Sequence, residues 1–264
     1  TTIRFRDLLR GLRELGLERS RPAIAHASLS AFGQVEGGAE VLAGAVLAAC
    51  GGLLAPAFTY RTMLVPEAGP PDNAIVYGAF AAENALADFW SPDLPVDRVL
   101  GVFPETVRRM PEAARSSHPI LSFVGVNVAE ALAAQTLAEP LAPIGKLAEQ
   151  DGDVLLLGVP HARSTALHWA ERTVGRKQFV RWALTPAGVV ECPAFPGCSE
   201  GFDAIAPRLD DIAKQARIGD ALVQRIPLRK LLAVAEGMMR ADPTALLCDR
   251  PGCERCAAVR ASLK

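Results

Sequence analysis

The chain has 264 residues, of which 50% are hydrophobic, and a formal net charge of −1. Such a length and apolar content can bury a full core, as one large α/β domain or a domain with a subdomain. The near-neutral charge disfavours nucleic acid as the main partner, and no apolar run approaches the ~18 residues of a membrane span. The first residues lack the apolar core of a signal peptide, so we expect a cytoplasmic protein.

Helix and strand signals alternate from the N-terminus. Leucines at helical spacing predict an opening amphipathic helix that ends near Gly16. A strand over 22–26, a helix over 37–50 and a strand over 52–58 predict a β-α-β unit with parallel strands in a sheet covered on both faces. Residues 60–100 are rich in proline and lack periodicity. A loop of this length is usually functional, so we expect it to form the wall or lid of a substrate cleft.

The alternation resumes after residue 100. The predicted elements are a helix over 103–110, a strand over 120–126, a helix over 127–138, a strand over 153–159, a helix over 163–173, a hairpin over 177–192, and helices near 201–214 and 227–240. Together they predict an α/β fold with a mixed, largely parallel central sheet flanked by helices. We expect a single domain over 1–240 and a cysteine-containing tail over 241–264.

Serines and glycines fill the junction between the first predicted strand and the following helix. The sequence there is His26-Ala-Ser-Leu-Ser-Ala-Phe-Gly-Gln-Val-Glu-Gly-Gly. Free backbone N–H groups and the positive end of a helix dipole make such a junction a natural anion site. The spacing matches neither the dinucleotide fingerprint nor the P-loop. Plain turn chemistry is the alternative interpretation of Gly37 and Gly38.

Five motifs resemble, in their order along the chain, those of the aminoglycoside 3-N-acetyltransferase family, antibiotic acetyltransferases outside the GNAT fold. They are the Ser-x-Ser-x-Phe-Gly-x-Val-x-Gly-Gly run, Ala55-Pro56-Ala57-Phe58-Thr59-Tyr60, Arg115-Ser116-Ser117-His118-Pro119, Ser164-Thr165-Ala166-Leu167-His168-Trp169-Ala170-Glu171 and Cys198-Ser199-Glu200-Gly201-Phe202-Asp203. The resemblance implies the antibiotic N-acetyltransferase fold and direct acetyl transfer from acetyl-CoA to an amine, first of all the 3-amino group of an aminoglycoside. A monomer or homodimer is expected.

The resemblance also implies where coenzyme A binds. The implied contacts are Ser28, Leu29, Ser30, Phe32, Gly33, Val35 and Gly37 of the serine-glycine junction, together with Ser117. For His118 the resemblance implies an active-site wall near the thioester or the pantetheine arm. A structural role, in which the His118 imidazole caps a neighbouring loop, is an equally open alternative.

Acetylation of an amine needs a base, because a typical ammonium has a pKa of about 9–10 and is not nucleophilic at pH 7. The family's catalytic histidine falls in the Leu-His-x-Ala-Glu element, which implies His168 as the general base. A carboxylate usually fixes the tautomer of such a histidine. The family pattern favours Glu200 or Asp203 for this role. Glu171 is the local alternative, and it is also a candidate substrate contact or an exposed helical residue.

The acceptor is expected to be cationic. Residues 60–100 contain six acids and two arginines, and this local excess of negative charge suits a polyamine. Asp72 and Asn73 are the candidate contacts, and binding should weaken as salt rises. Two alternatives are an N-acyltransferase for another amine of secondary metabolism and a non-catalytic protein, which binds coenzyme A or serves as a zinc-held interaction module.

The tail contains Cys248, Cys253 and Cys256 in a Cys-x4-Cys-x2-Cys pattern. This spacing suits zinc, but a structural zinc site takes four ligands. The candidates for the fourth ligand are Cys198, Cys192 and His161. Unligated thiols are the alternative, and disulfides are not expected in a cytoplasmic chain.

Overall fold

The computed structural model describes residues 2–263. Within this range the helices are α1 (Phe5–Glu14), α2 (Gly38–Ala49), α3 (Ala81–Asn84), α4 (Val102–Arg108), α5 (Ala129–Ala133), α6 (Ala142–Glu149), α7 (Ala166–Thr173), α8 (Leu228–Ala241) and α9 (Glu254–Ser262). The strands are β1 (Pro22–Ala27), β2 (Gly52–Pro56), β3 (Met63–Leu64), β4 (Ala114–Arg115), β5 (Phe123–Val126), β6 (Asp153–Leu157), β7 (Phe179–Thr185), β8 (Gly188–Phe195), β9 (Lys214–Ile218) and β10 (Ala221–Pro227). None of the helices between residues 2 and 263 has both the length and the apolarity to cross a membrane.

The main sheet has seven strands in the order β4-β5-β2-β1-β6-β10-β9. Its centre is parallel, since β1 pairs in parallel with β2 on one side and with β6 on the other. The outer strands β4, β5, β9 and β10 pair antiparallel with their neighbours. The path from β1 through α2 to β2 is the predicted β-α-β unit. A mixed sheet with a parallel centre and flanking helices confirms the predicted fold class.

The sheet separates two hydrophobic cores, because successive side chains of a strand point to opposite faces. On one face Ile24 and Leu156 pack with residues of α6, α7, α8 and α9. On the other face Ala25 and Leu157 pack with α1, α2 and α4. Full burial of a leucine or isoleucine side chain contributes about 1.5–3 kcal/mol, so both cores stabilise the central strands. Burial on both faces explains why β1 and β6 are almost continuously apolar.

A second, three-stranded antiparallel sheet has the order β3-β7-β8. The strands β7 and β8 form the predicted hairpin, with the turn at residues 186–187. The hairpin prediction is confirmed. The predicted hairpin ends at residue 192, whereas β8 extends three residues further, to Phe195.

The structure differs from the sequence prediction between residues 201 and 227. Instead of an α-helix near 201–214, it has a 3-10 helix over Phe202–Arg208, followed by the β9–β10 hairpin. Pro207 lacks an N–H donor and so disfavours a regular helix. Gly219 has φ +61° and reverses the chain between the two strands. The helix expected over 127–138 is also shorter, at Ala129–Ala133.

The cysteine tail packs against the body of the protein. Leu246, Leu247 and Val259 are buried in the same core cluster as α7 and α8. A Cβ on Gly201 would lie 2.5 Å from the carbonyl oxygen of Leu246, so the 3-10 segment and the tail approach each other backbone to backbone. The predicted boundary at residue 240 thus falls within a continuous hydrophobic core.

Candidate active site

A cavity of about 800 Å³ opens at the carboxyl ends of the parallel strands. Its walls come from the end of β1 and the loop after it, the residue that ends β2, the segment after β6, and the segment between residues 99 and 104. Ligands in α/β sheets commonly bind at this end of the strands, and the volume suits a bound organic molecule.

Most of the predicted coenzyme A contacts line this cavity. They are Ser28, Leu29, Ser30, Gly33 and Val35. Gly33 has φ +81°, and a Cβ there would lie 2.7 Å from Asp220 Oδ2, so the turn needs glycine for two reasons.

Three predicted coenzyme A contacts do not line the cavity. Phe32 is 1% exposed and anchors the turn in the hydrophobic core. Gly37 is the left-handed residue before α2, and a Cβ on it would meet the Val41 side chain at 2.4 Å. Ser117 is exposed elsewhere on the surface. The fold therefore uses Phe32 and Gly37 to shape the loop that bears the cavity-lining serines.

The proline-rich segment contributes to the cavity through its two ends. Tyr60 comes from one end, and Val99 and Leu100 come from the other. Asn73 is buried, and its side-chain amide donates to the carbonyl oxygen of Val180 at 3.0 Å and accepts from the Val180 N–H at 2.8 Å. These two hydrogen bonds of Asn73 connect the proline-rich segment 60–100 to β7. The exposed Asp72 beside it does not line the cavity either, and a substrate contact by these two residues stays a prediction.

His168 lies in the first turn of α7 with a buried carboxylate behind it. Its Nδ1 is 2.6 Å from Glu171 Oε2, one helical turn further on. Its Nε2 makes no hydrogen bond within residues 2–263 and is not fully enclosed, and the side chain keeps 11% exposure. Thr165, one turn earlier, lines the cavity. An imidazole that donates its Nδ1–H to a carboxylate has its lone pair on Nε2, the arrangement of a proton acceptor.

The carboxylate that contacts His168 is Glu171. This corrects the expectation from the family pattern that Glu200 or Asp203 would contact it. Both of the favoured residues are exposed, and Asp203 Oδ1 accepts the N–H of Ala162 at 3.2 Å. The residue that reaches the imidazole from this 3-10 segment is Phe202, with ring centroids 4.7 Å apart. Glu171 is 1% exposed. It is therefore neither an exposed helical residue nor a carboxylate that is free to bind substrate.

Arg176 completes the cluster and was not predicted from the sequence. Its Nη1 donates to Glu171 Oε1 at 2.9 Å, and its Nη2 donates to the carbonyl oxygens of Pro243 and Ala245, each at 2.8 Å. The buried guanidinium offsets the charge of the buried carboxylate. No local pattern marks this residue, because its two carbonyl partners lie 67 and 69 residues later in the chain.

The structure supports the loop-capping interpretation of His118. Its Nδ1 accepts the N–H groups of Ile120 at 3.1 Å and Leu121 at 3.0 Å, and burial lowers its pKa to about 4. His26 does line the cavity, and it accepts the N–H of Thr165 at 3.4 Å through Nε2. Burial lowers the pKa of His26 to about 3, which keeps this imidazole neutral.

We expect the free energy of unfolding to decrease as pH falls from about 6.5 toward 4. A histidine in the unfolded chain has a pKa of about 6.5, whereas burial lowers the folded values to about 3 for His26 and about 4 for His118. Below pH 6.5 the unfolded state therefore binds protons that the folded state does not. Each histidine costs up to about 1.4 kcal/mol per pH unit in this window and nothing above it.

Urea unfolding at pH 7 and at pH 5 measures this dependence. The variant His26→Gln keeps an acceptor for the Thr165 N–H and should show a shallower decrease than the unchanged protein. Equal slopes for the two proteins would refute the assignment of His26.

The chain belongs to the aminoglycoside 3-N-acetyltransferase family, whose profile matches residues 24–240. Aminoglycoside N(3)-acetyltransferase IX of Micromonospora chalcea is 34% identical over 190 residues, which are 65% of this chain and 63% of that relative. The match thus spans a little less than two thirds of that relative's length.

Solved structures show the same fold. The apoenzyme of aminoglycoside acetyltransferase AAC(3)-IVa has a TM-score of 0.80 at 26% identity, covering 99% of this chain and 98% of that one. A histidine-to-alanine mutant of AAC(3)-IVa in complex with a gentamicin has a TM-score of 0.79 at the same identity and coverage. AAC-IIIb in a binary complex with CoASH has a TM-score of 0.73 at 23% identity, covering 91% of this chain and 97% of that one.

Proposed function

We propose that the protein transfers the acetyl group of acetyl-CoA directly to an amine, first of all the 3-amino group of an aminoglycoside. The observation that carries the proposal is the geometry of His168, with Nδ1 held by the buried Glu171 and Nε2 left without a partner among residues 2–263. His168 itself does not line the cavity, but it follows the cavity-lining Thr165 by one helical turn. Membership of the family supports the acetyl group and the class of acceptor.

In the proposed reaction both substrates are bound together. The amine nitrogen forms a bond to the thioester carbonyl carbon, and the carbon–sulfur bond breaks. His168 Nε2 accepts the proton of the amine, and this proton then neutralises the coenzyme A thiolate. Glu171 is a positioning residue, since it holds the imidazole in the tautomer with the lone pair on Nε2.

Acetyl-CoA is proposed to occupy the cavity at the end of β1. The hydroxyls of Ser28 and Ser30 lie there, 3.2 Å apart, on the turn that follows the strand. The exposed guanidinium of Arg163 also lines the cavity. An arginine provides the charge-assisted hydrogen bonds that suit the phosphates of coenzyme A.

The amine is proposed to approach over the acidic segment 60–100. Its exposed carboxylates include Glu67, Asp72 and Glu83. Clustered negative charges raise the local concentration of a cationic substrate, and salt screens this attraction within about 8–10 Å under ordinary conditions.

An acetylation screen tests the proposed function. Purified protein is incubated with acetyl-CoA and aminoglycosides or simple amines at low and high ionic strength, and thiol release is followed together with NMR of the product. We expect acetylation of the 3-amino group of an aminoglycoside, with KM rising as salt is added while kcat changes little. Acetylation of another polycationic amine would support the proposed acetyl transfer but would show that the acceptor is not an aminoglycoside. Turnover of neutral or anionic amines alone, or the binding of coenzyme A with no turnover, would contradict the proposal.

A further inference from the structure

Four cysteines from two distant segments meet in the hydrophobic core that also contains the buried residues of α7. Cys198 follows β8, whereas Cys248, Cys253 and Cys256 come from the tail. Their Sγ atoms all lie within 4.8 Å of one another, and all four residues are buried with free thiols. Of the three candidates for a fourth zinc ligand, the fold brings Cys198 to the tail trio.

The spacing of the sulfurs is that of a tetrahedral metal site. A zinc–sulfur bond of about 2.3 Å in a tetrahedron places the sulfurs about 3.8 Å apart. Two of the six separations are 3.9 Å, between Cys198 and Cys248, and 3.5 Å, between Cys248 and Cys256, and none of the six exceeds 4.8 Å. A disulfide would bring one pair to about 2.05 Å and would leave the other two thiols without a partner.

We propose that these four cysteines hold one structural zinc ion. All four positions of the tetrahedron are taken by protein ligands, so no position is open for a substrate or a water. Four thiolates around Zn²⁺ leave two negative charges, and α9 brings two arginines to this site. Arg255 donates to the carbonyl oxygen of Gly197 at 3.0 Å, and Arg260 donates to that of Cys248 at 2.9 Å. Such outer contacts orient and stabilise metal ligands.

The zinc site joins the tail to the support of His168. Cys198 begins the segment that carries Phe202 to the imidazole, and a Cβ on Gly197 would lie 3.8 Å from Glu171 Oε2. On the tail side, Arg176 of the Glu171 pair donates to carbonyls that precede Cys248 by only a few residues. Removal of the metal should therefore lower stability and weaken two contacts near His168: the packing of Phe202 on the imidazole and the hydrogen bonds of Arg176 to the tail carbonyls.

Elemental analysis of the purified full chain tests the proposal without any reference to activity. We expect about one zinc per chain, and a lower thermal midpoint after chelation under reducing conditions. Reconstitution of the chelated protein with Co²⁺ should give the absorption of a tetrahedral tetrathiolate site.

Variants supply the controls. Cys253→Ser should lose most of the bound metal, whereas Cys50→Ala, at a buried thiol in the opposite core, should keep about one zinc per chain. The metal content of the unchanged protein is informative even if a variant folds poorly. Absence of zinc together with failure to take up added Zn²⁺, iron in place of zinc, or full zinc content in folded Cys253→Ser would each overturn the proposal.

Discussion

Replacement of His168 by glutamine is expected to lower kcat for acetyl transfer by about 10²–10⁴-fold, with a much smaller effect on the KM for acetyl-CoA. Glutamine approximates the size of the imidazole but offers no nitrogen of suitable basicity to accept the proton of the amine. The His168 side chain does not line the cavity proposed for acetyl-CoA, so the substitution should slow the chemical step and leave cofactor binding largely intact. Steady-state release of coenzyme A measures both constants.

His161→Gln is the matched control for this variant. His161 is also a buried histidine, but unlike His168 it has no carboxylate within hydrogen-bond distance among residues 2–263. It should keep a kcat close to that of the unchanged protein. A folded His168→Gln protein with unchanged kcat would refute the role of His168 as base.

Replacement of Arg176 by methionine is expected to destabilise the protein by about 3–5 kcal/mol. The side chains of Arg176 and Glu171 are each 2% exposed and lie 2.9 Å apart, so removal of the cation leaves a buried carboxylate without its partner. It also leaves the carbonyls of Pro243 and Ala245 without their donor. Urea unfolding gives the loss directly.

The nearby Arg172→Met provides the comparison for Arg176. Arg172 pairs with Glu139, but the two side chains are 41% and 39% exposed. A solvent-exposed ion pair contributes at most about 1 kcal/mol to the free energy of unfolding. Similar losses for the two variants would show that the buried pair does not stabilise the fold in the way described. A loss of activity in Arg176→Met at temperatures where the protein is folded would link the pair to the positioning of Glu171.

The parallel centre of the sheet was predictable because its signals are local. The apolar runs of β1 and β2 flank a helix of the right length, and a β-α-β connection leaves little choice of topology. The β9–β10 hairpin was not predicted, since its strands have only five and seven residues and neither shows a regular alternation of polar and apolar residues. The turn at Gly219-Asp220 was the available signal.

The candidate site shows the same division between local and distant information. The loop serines and His168 could be named from motifs, because each lies within a short and specific run of residues. The sequence offered Glu171 only as the alternative carboxylate partner, since its burial depends on Arg176 and on tail carbonyls far along the chain. Likewise, the spacing of the tail cysteines favoured zinc, but only the fold selects Cys198 over Cys192 and His161 as the fourth neighbour.

A crystal structure of the protein with coenzyme A and an aminoglycoside tests the central claim most directly. We predict that coenzyme A lies in the cavity along Ser28 and Ser30, and that a 3-amino nitrogen lies about 2.6–3.2 Å from His168 Nε2, or one water away. The bond between His168 Nδ1 and Glu171 should persist in that complex. An aminoglycoside whose amines all lie beyond the reach of Nε2, or coenzyme A bound outside this cavity, would contradict the account.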